Sequence, residues 1–336
     1  MSQRIEQASR DTAPAGSIRF NTDSSKMEIY NGEAWWEIDA TSPELETGGT
    51  RGINAGGEAP GDRDEIQYIN ISSTGDAVDF GNLVDGRRYL TGTSSRVTGL
   101  FMGGFDNPGF NDMIQKITIA STGNAVDTGG DISSSRHFGC GASNGTRGIY
   151  AGGGNPSNTN VIEFVTISNV GNTIDFGDLT LARNGMSGMN NSKTRALFMG
   201  GNESPFPIDY ITMSTQGNAA DFGDIIGAGY GSQCSNAVRG LYGGGSPGPQ
   251  NAIEFVTIAT LGNGTDFGDL TVARHYHGST SSPTRGVWWG GMTPTKLNTI
   301  DYVQIATTGN AVDFGDGTIT ANASMAAISN GHGGLG

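Results

Sequence analysis

Apolar and polar residues alternate along this chain in short runs, and nowhere does a helical period emerge. Residues 146–183 show the unit: TRGIYAGG, a loop, then IEFVTISNVGNTIDFGDLTLAR. The same frame returns near Thr50, Thr98, Thr194, Val238 and Thr284. Each copy closes its first apolar run on a Gly pair, beginning at Gly56, Gly103, Gly152, Gly200, Gly244 and Gly290. Each then reaches an Asp in a DFG frame: Asp79, Asp127, Asp175, Asp221, Asp266 and Asp313. Both ladders step by 44 to 49 residues, a period that signals solenoids, propellers or arrays. In the fourth unit the alternation predicts strands at 188–192, 196–200, 208–214 and 219–225.

The two ends of the array decide between an open and a closed form. The first unit lacks a first strand, because TSPELETGG stands in its place. Residues 318–329 (TITANASMAAIS) resemble a first strand with no unit to follow. Lending that strand to the first unit closes six blades and removes the exposed sheet edges. The expected fold is therefore all-β, a six-bladed β-propeller over residues 47–336.

Residues 1–46 stand apart. Residues 1–16 are polar and read as an extended arm. Strands are predicted at 17–21, 26–30 and 34–38, with Asn31-Gly32 as a tight hairpin turn. Ile18, Phe20, Trp35 and Trp36 make this meander apolar enough to be an anchor on another chain or on copies of itself, the alternative being that it packs on the propeller's own flank, and it is too small to be secure alone.

Composition narrows the partners. The chain has 336 residues, 56 of them Gly, and a formal net charge of −14. Such acidity argues against a nucleic-acid partner. No apolar run reaches the length of a membrane span. The first dozen residues lack the apolar core of a signal peptide, so synthesis in a cytoplasm is expected. Cys140 and Cys234 lie a whole unit apart and are expected to be reduced thiols.

The Gly pairs, the loops that follow them and the small-residue strands preceded by Arg resemble Kelch-type propeller repeats over about 290 residues. Kelch repeats place Trp in the fourth strand; here stand Phe80, Phe176, Phe222, Phe267 and Phe314, with Thr128 in the second unit. The same role is expected, an aromatic plug between blades. The segment AGSIRFNTDSSKMEIYNGEAWWEI, residues 15–38, resembles short segments of tailed-bacteriophage structural proteins. That resemblance implies a virion protein made in the host bacterial cytoplasm, docked on other virion proteins through residues 1–46. It implies several copies per particle and a tail-fibre, receptor-binding or capsid-decoration role.

Candidate chemistry is sparse. The Gly pairs precede variable loops rather than a helix start, so they are backbone turns and not phosphate cradles. One Asp pair per unit falls short of the six to eight oxygens that calcium takes. Arg51, Arg147, Arg195, Arg239 and Arg285 are the natural partners of those Asp residues, and the set reads as scaffold. His275 and His277 share one strand face but lack further ligands. No metal, cofactor or catalytic residue is expected. The best surface is the face carrying the variable loops after the second strands and the turns before the first strands. It holds Arg88, Tyr89, Phe105, Phe110, Arg136, His137, Phe206, Arg274, His275 and Tyr276, a set suited to a host-surface glycan or protein. The alternative is a glycan-active lyase or oxidase on the same fold.

Overall fold

The computed structural model describes residues 13–21, 26–37, 50–227, 229–319 and 322–335. It is all-β; the one helical element among the described residues is a short 3₁₀ turn at Gly333–Leu335. The chain divides into two compact units, Met1–Leu45 and Glu46–Gly336.

The smaller unit is a three-stranded antiparallel sheet, Ile18–Asn21, Lys26–Tyr30 and Trp35–Glu37. Its connecting turn centres on Gly32 and Glu33, one residue later than the Asn-Gly pattern predicts. Asn31 instead serves as the bracket, its side-chain oxygen accepting the Glu33 and Ala34 N–H groups. Residues 14–17 are not an extended arm. They form a turn fastened to Tyr30 through both Gly16 and Ser17. The rest of the expected arm, 1–12, and the linker at 41–49 lie outside the described residues.

Two faces of this sheet differ sharply. On one, Arg19 pairs with Glu28 at 2.7 Å and lies 4.2 Å over the Trp35 ring, which packs against Tyr30. On the other, cross-strand neighbours Ile18, Ile29 and Trp36 form a row beside Phe20 and Met27. All five are exposed, Trp36 by 62%. Trp35 therefore does not share the outward apolar face with Trp36.

The larger unit contains six four-stranded antiparallel sheets, numbered here by the chain order of their second strands. The second sheet runs Thr91–Ser94, Thr98–Met102, Met113–Thr118 and Val126–Asp131, and the third, fourth, fifth and sixth repeat that order. The first sheet is the exception. Its first strand is Ala326–Ser329, paired antiparallel to Arg51–Ala55 with Ile328 opposite Ile53.

The first strands are laced together by one repeated bond. Ser94 Oγ donates to the Ser329 carbonyl at 2.8 Å, and Ser143 Oγ to that of Ser94 at 2.6 Å. Asn191 Nδ2 donates to Ser143, Ser235 Oγ to Asn191, Ser281 Oγ to Ser235 and Ser329 Oγ to Ser281. After six steps the circuit is back at its starting strand. The tail beyond Ser329 fills the same end. Gly334 N–H donates to His332 Nδ1, so the Nε2 proton faces the Ser94 carbonyl and Ser143 Oγ, both at 3.1 Å. Burial pushes this imidazole down to about 4, which keeps it neutral.

The fourth strands are laced too. Phe80 and Asn82 accept backbone bonds from Gly123 and Ala125 of the next sheet's turn, and Asn124 accepts the Asn82 N–H. Similar bonds recur at Phe176, Phe222, Phe267 and Phe314. This explains the glycine of the DFG frame: at Gly81, with φ +148°, a Cβ would stand 2.4 Å from the Gly123 carbonyl. It also leaves few unpaired groups on what is otherwise an edge strand.

The periodic arginines do not pair with the Asp ladder. Arg51 stacks 4.4 Å over Tyr68, Tyr68 meets Phe80 edge-on, and the guanidinium donates to the Ile119 and Ala120 carbonyls of the next sheet. Arg147, Arg195, Arg239 and Arg285 repeat the triad on Phe164, Tyr210, Phe255 and Tyr302. Their acceptors are the carbonyls of Met213, Ile258, Ile305 and Ile71. Backbone carbonyls at the seam accept from the guanidinium, and the aromatic face orients it toward them. The Asp residues of the ladder stay exposed.

The second sheet breaks the pattern at all three positions. Thr98, Lys116 and Thr128 stand where the others have Arg, an aromatic and Phe. Grafting Thr98→Arg with Lys116→Tyr should rebuild the stacked pair. The expected gain is about 1 kcal/mol, read as a rise of roughly 2–4 °C in Tm. An unchanged Tm would show that the seam between the second and third sheets is already held by other means.

Candidate functional site

At the end opposite the serine circuit, one residue per sheet stands just before the first strand. These are Tyr89, Phe138, Gly185, Tyr230, Tyr276 and Ser324, and all have positive φ, between 56° and 75°. They form a second circuit. Tyr89 N–H donates to the Ser324 carbonyl at 2.7 Å, Phe138 to Tyr89 at 3.0 Å, Tyr230 to Gly185 at 2.9 Å, Tyr276 to Tyr230 at 2.9 Å and Ser324 to Tyr276 at 2.6 Å. At the fourth sheet Met186 N–H takes over, bonding Phe138 at 3.3 Å.

The geometry of this turn calls for glycine, and one copy has it. Four copies hold a bulky aromatic there, at an energetic cost on the order of 1–3 kcal/mol each. Strain of this kind persists where the surrounding structure holds it, here through the backbone bonds of the circuit.

The four rings touch one another and extend outward. Tyr89 and Phe138 lie 3.9 Å apart between centroids, Tyr230 and Tyr276 5.1 Å, and Phe138 stands 5.6 Å from Tyr230 and 5.7 Å from Tyr276. His137 joins Phe138 and Phe110, Phe110 meets Phe105 edge-on at 5.4 Å, and His275 abuts Tyr276 at 4.5 Å. The result is a belt of eight half-buried rings. Leu90, Met186, His277 and Met325 line the shallow depression it borders.

Charges on the belt cancel locally. Arg88 lies over Tyr89 and Phe105 and is held by Glu58 and Asp62, each at 3.2 Å. Lys296 reaches Glu58 at 3.3 Å. Burial lowers the His137 and His275 imidazoles and raises the three phenols, Tyr276 to about 12. Near neutral pH every ring is uncharged.

Seven of the ten residues expected from the sequence meet here: Arg88, Tyr89, Phe105, Phe110, His137, His275 and Tyr276. Three do not. Arg136 and Arg274 are buried and paired with Glu163 and Asp301, as Arg183 is with Asp209 at 2.8 Å. The residue of the first turn that matches them is Arg87, fully buried on Asp85, not Arg88. Phe206 packs instead on the fourth sheet's cluster with Leu197, Ile208 and Phe222. One member escapes the sequence reading, Tyr230, whereas Phe138 follows Arg136 and His137 in a turn that the sequence points to. The signal for Tyr230 is positional, since it stands two residues before the first strand Ser232–Ser235, as Phe138 does before Cys140–Ser143.

Among the described residues, no three His, Cys, Asp or Glu side chains converge as metal ligands would. Cys140 and Cys234 are free, buried thiols, each raised to about 12 by burial. No helix of the described residues is long and apolar enough to cross a membrane. No family model matches the chain, and neither does any curated protein.

Proposed function

We propose that this chain is a non-enzymatic structural protein of a tailed-bacteriophage particle. In this reading the six sheets are blades of a closed, Kelch-like propeller, carried in several copies. The N-terminal sheet docks on neighbouring virion proteins, and the aromatic belt faces the host surface as a receptor-binding or decorating module. Support for the closed ring comes from the serine circuit, which links all six first strands and returns to its origin.

The observation that carries the docking role is the outward row Ile18, Ile29, Trp36 with Phe20 and Met27. A sheet this small gains little stability of its own, and a contiguous exposed apolar face commonly marks a protein contact. Aromatic residues dominate the energy of such contacts.

The test compares assembly with folding. Phe20→Ala with Trp36→Ala should abolish incorporation into particles and leave the Tm of the free protein within about 1 °C. Trp35→Ala, on the opposite face, should disturb the sheet's own packing. Incorporation that survives the first pair would defeat the docking role.

A further inference from the structure

We propose that the aromatic belt binds a neutral oligosaccharide chain, a reading that rests on the recognition role given above and assigns its ligand class. Three features of the belt point to this chemistry.

The first is shape. Rings whose centroids lie 5 to 6 Å apart are in mutual contact, so they leave no enclosed cage for a cation. What they offer is a continuous platform, from Phe105 to His275, of the kind that stacks on the apolar face of a pyranose.

The second is charge. The two cations on the belt, Arg88 and Lys296, are both engaged by Glu58, and Arg88 also by Asp62. Among the described residues, no free cation of the belt remains to select a sialylated, sulfated or phosphorylated ligand, and the net charge of the chain repels anions.

The third is hydrogen bonding. His275 Nδ1 and His277 Nδ1 are buried without a partner, and His277 is 1% exposed beneath the rings. Of the two, His277 lines the depression, and its unmet Nδ1 bond becomes available to a ligand hydroxyl only where the rings above it part. The phenols of Tyr230 and Tyr276 add donors and acceptors at the rim.

The strained backbone makes the test clean. Glycine already fills the equivalent turn at Gly185, so Tyr230→Gly and Tyr276→Gly remove rings without removing a backbone bond. The full chain is presented with linear glucose, mannose and galactose oligosaccharides, their sialylated and sulfated counterparts, and a proline decamer. Binding to a neutral series, weakened at least tenfold in the glycine pair at unchanged Tm and largely kept in Tyr276→Phe, is the expected result. If the glycine pair does not fold, Tyr230→Gly alone makes the same comparison. Binding of the acidic series or the proline decamer through these tyrosines overturns the ligand class but leaves the recognition role standing. Binding untouched by the glycine variants, or no binding in any series, overturns the proposal, and the first of these removes the belt from the recognition role as well.

Discussion

Deleting residues 318–336 should make the protein aggregate. The deletion strips the first sheet of Ala326–Ser329 and exposes the full edge of Arg51–Ala55. It also breaks the serine circuit twice, at the Ser94–Ser329 and Ser329–Ser281 bonds. Ile328, which is fully buried, leaves the cluster it shares with Ile53, Phe101 and Ile117. Loss of one such side chain alone costs about 2–5 kcal/mol, a large share of the roughly 5–15 kcal/mol that holds a typical domain folded. An open, flat strand edge then recruits other chains. Sedimentation and thermal melting of the shortened chain check this. A monomer that melts cooperatively at the full-length Tm would mean that the last strand is dispensable.

The next largest effect is expected at the fourth-strand aromatics. Phe176 is 2% exposed, meets Phe164 edge-on at 6.0 Å and sits in the cluster that spans the third and fourth sheets. Phe176→Ala should cost about 3–5 kcal/mol. Thr128 holds the matching place in the second sheet, where its hydroxyl bonds the Ile114 carbonyl at 2.8 Å. Thr128→Ala should cost only about 1 kcal/mol. Denaturant titration of both variants measures the contrast. Equal losses would mean that the phenylalanine is filling space within its own sheet and not bracing the seam.

Much of this architecture was legible in the chain. The fourth unit's strands appear at Asn190–Asn191, Arg195–Met199, Pro207–Thr212 and Ala220–Asp224, within a few residues of the alternation that predicts them. The pairing of Ala326–Ser329 with Arg51–Ala55 follows from a missing strand at one end and a spare one at the other. What resisted reading has a common cause. The partner of Arg51 is a carbonyl 68 residues away, and carbonyls carry no letter in a sequence. The DFG glycine is needed because of a backbone about 40 residues on, in another sheet. At the belt, Tyr89 and Tyr276 announce themselves beside Arg and His, whereas Tyr230 follows the bland Gly227-Ala228-Gly229. Position in the repeat marks it where its neighbours do not.

The split first sheet has a consequence for synthesis. Its second, third and fourth strands leave the ribosome early, but its first strand lies roughly 270 residues downstream. At about 5–20 residues per second, Arg51–Ala55 waits on the order of 15–55 s for Ala326–Ser329. Over that interval a nascent chain exposes a strand edge whose natural partner belongs to any finished copy as much as to itself. On a crowded polysome one chain's last strand can complete its neighbour's first sheet. The late completion of the first sheet thus makes intermolecular strand exchange a misfolding route specific to this chain order.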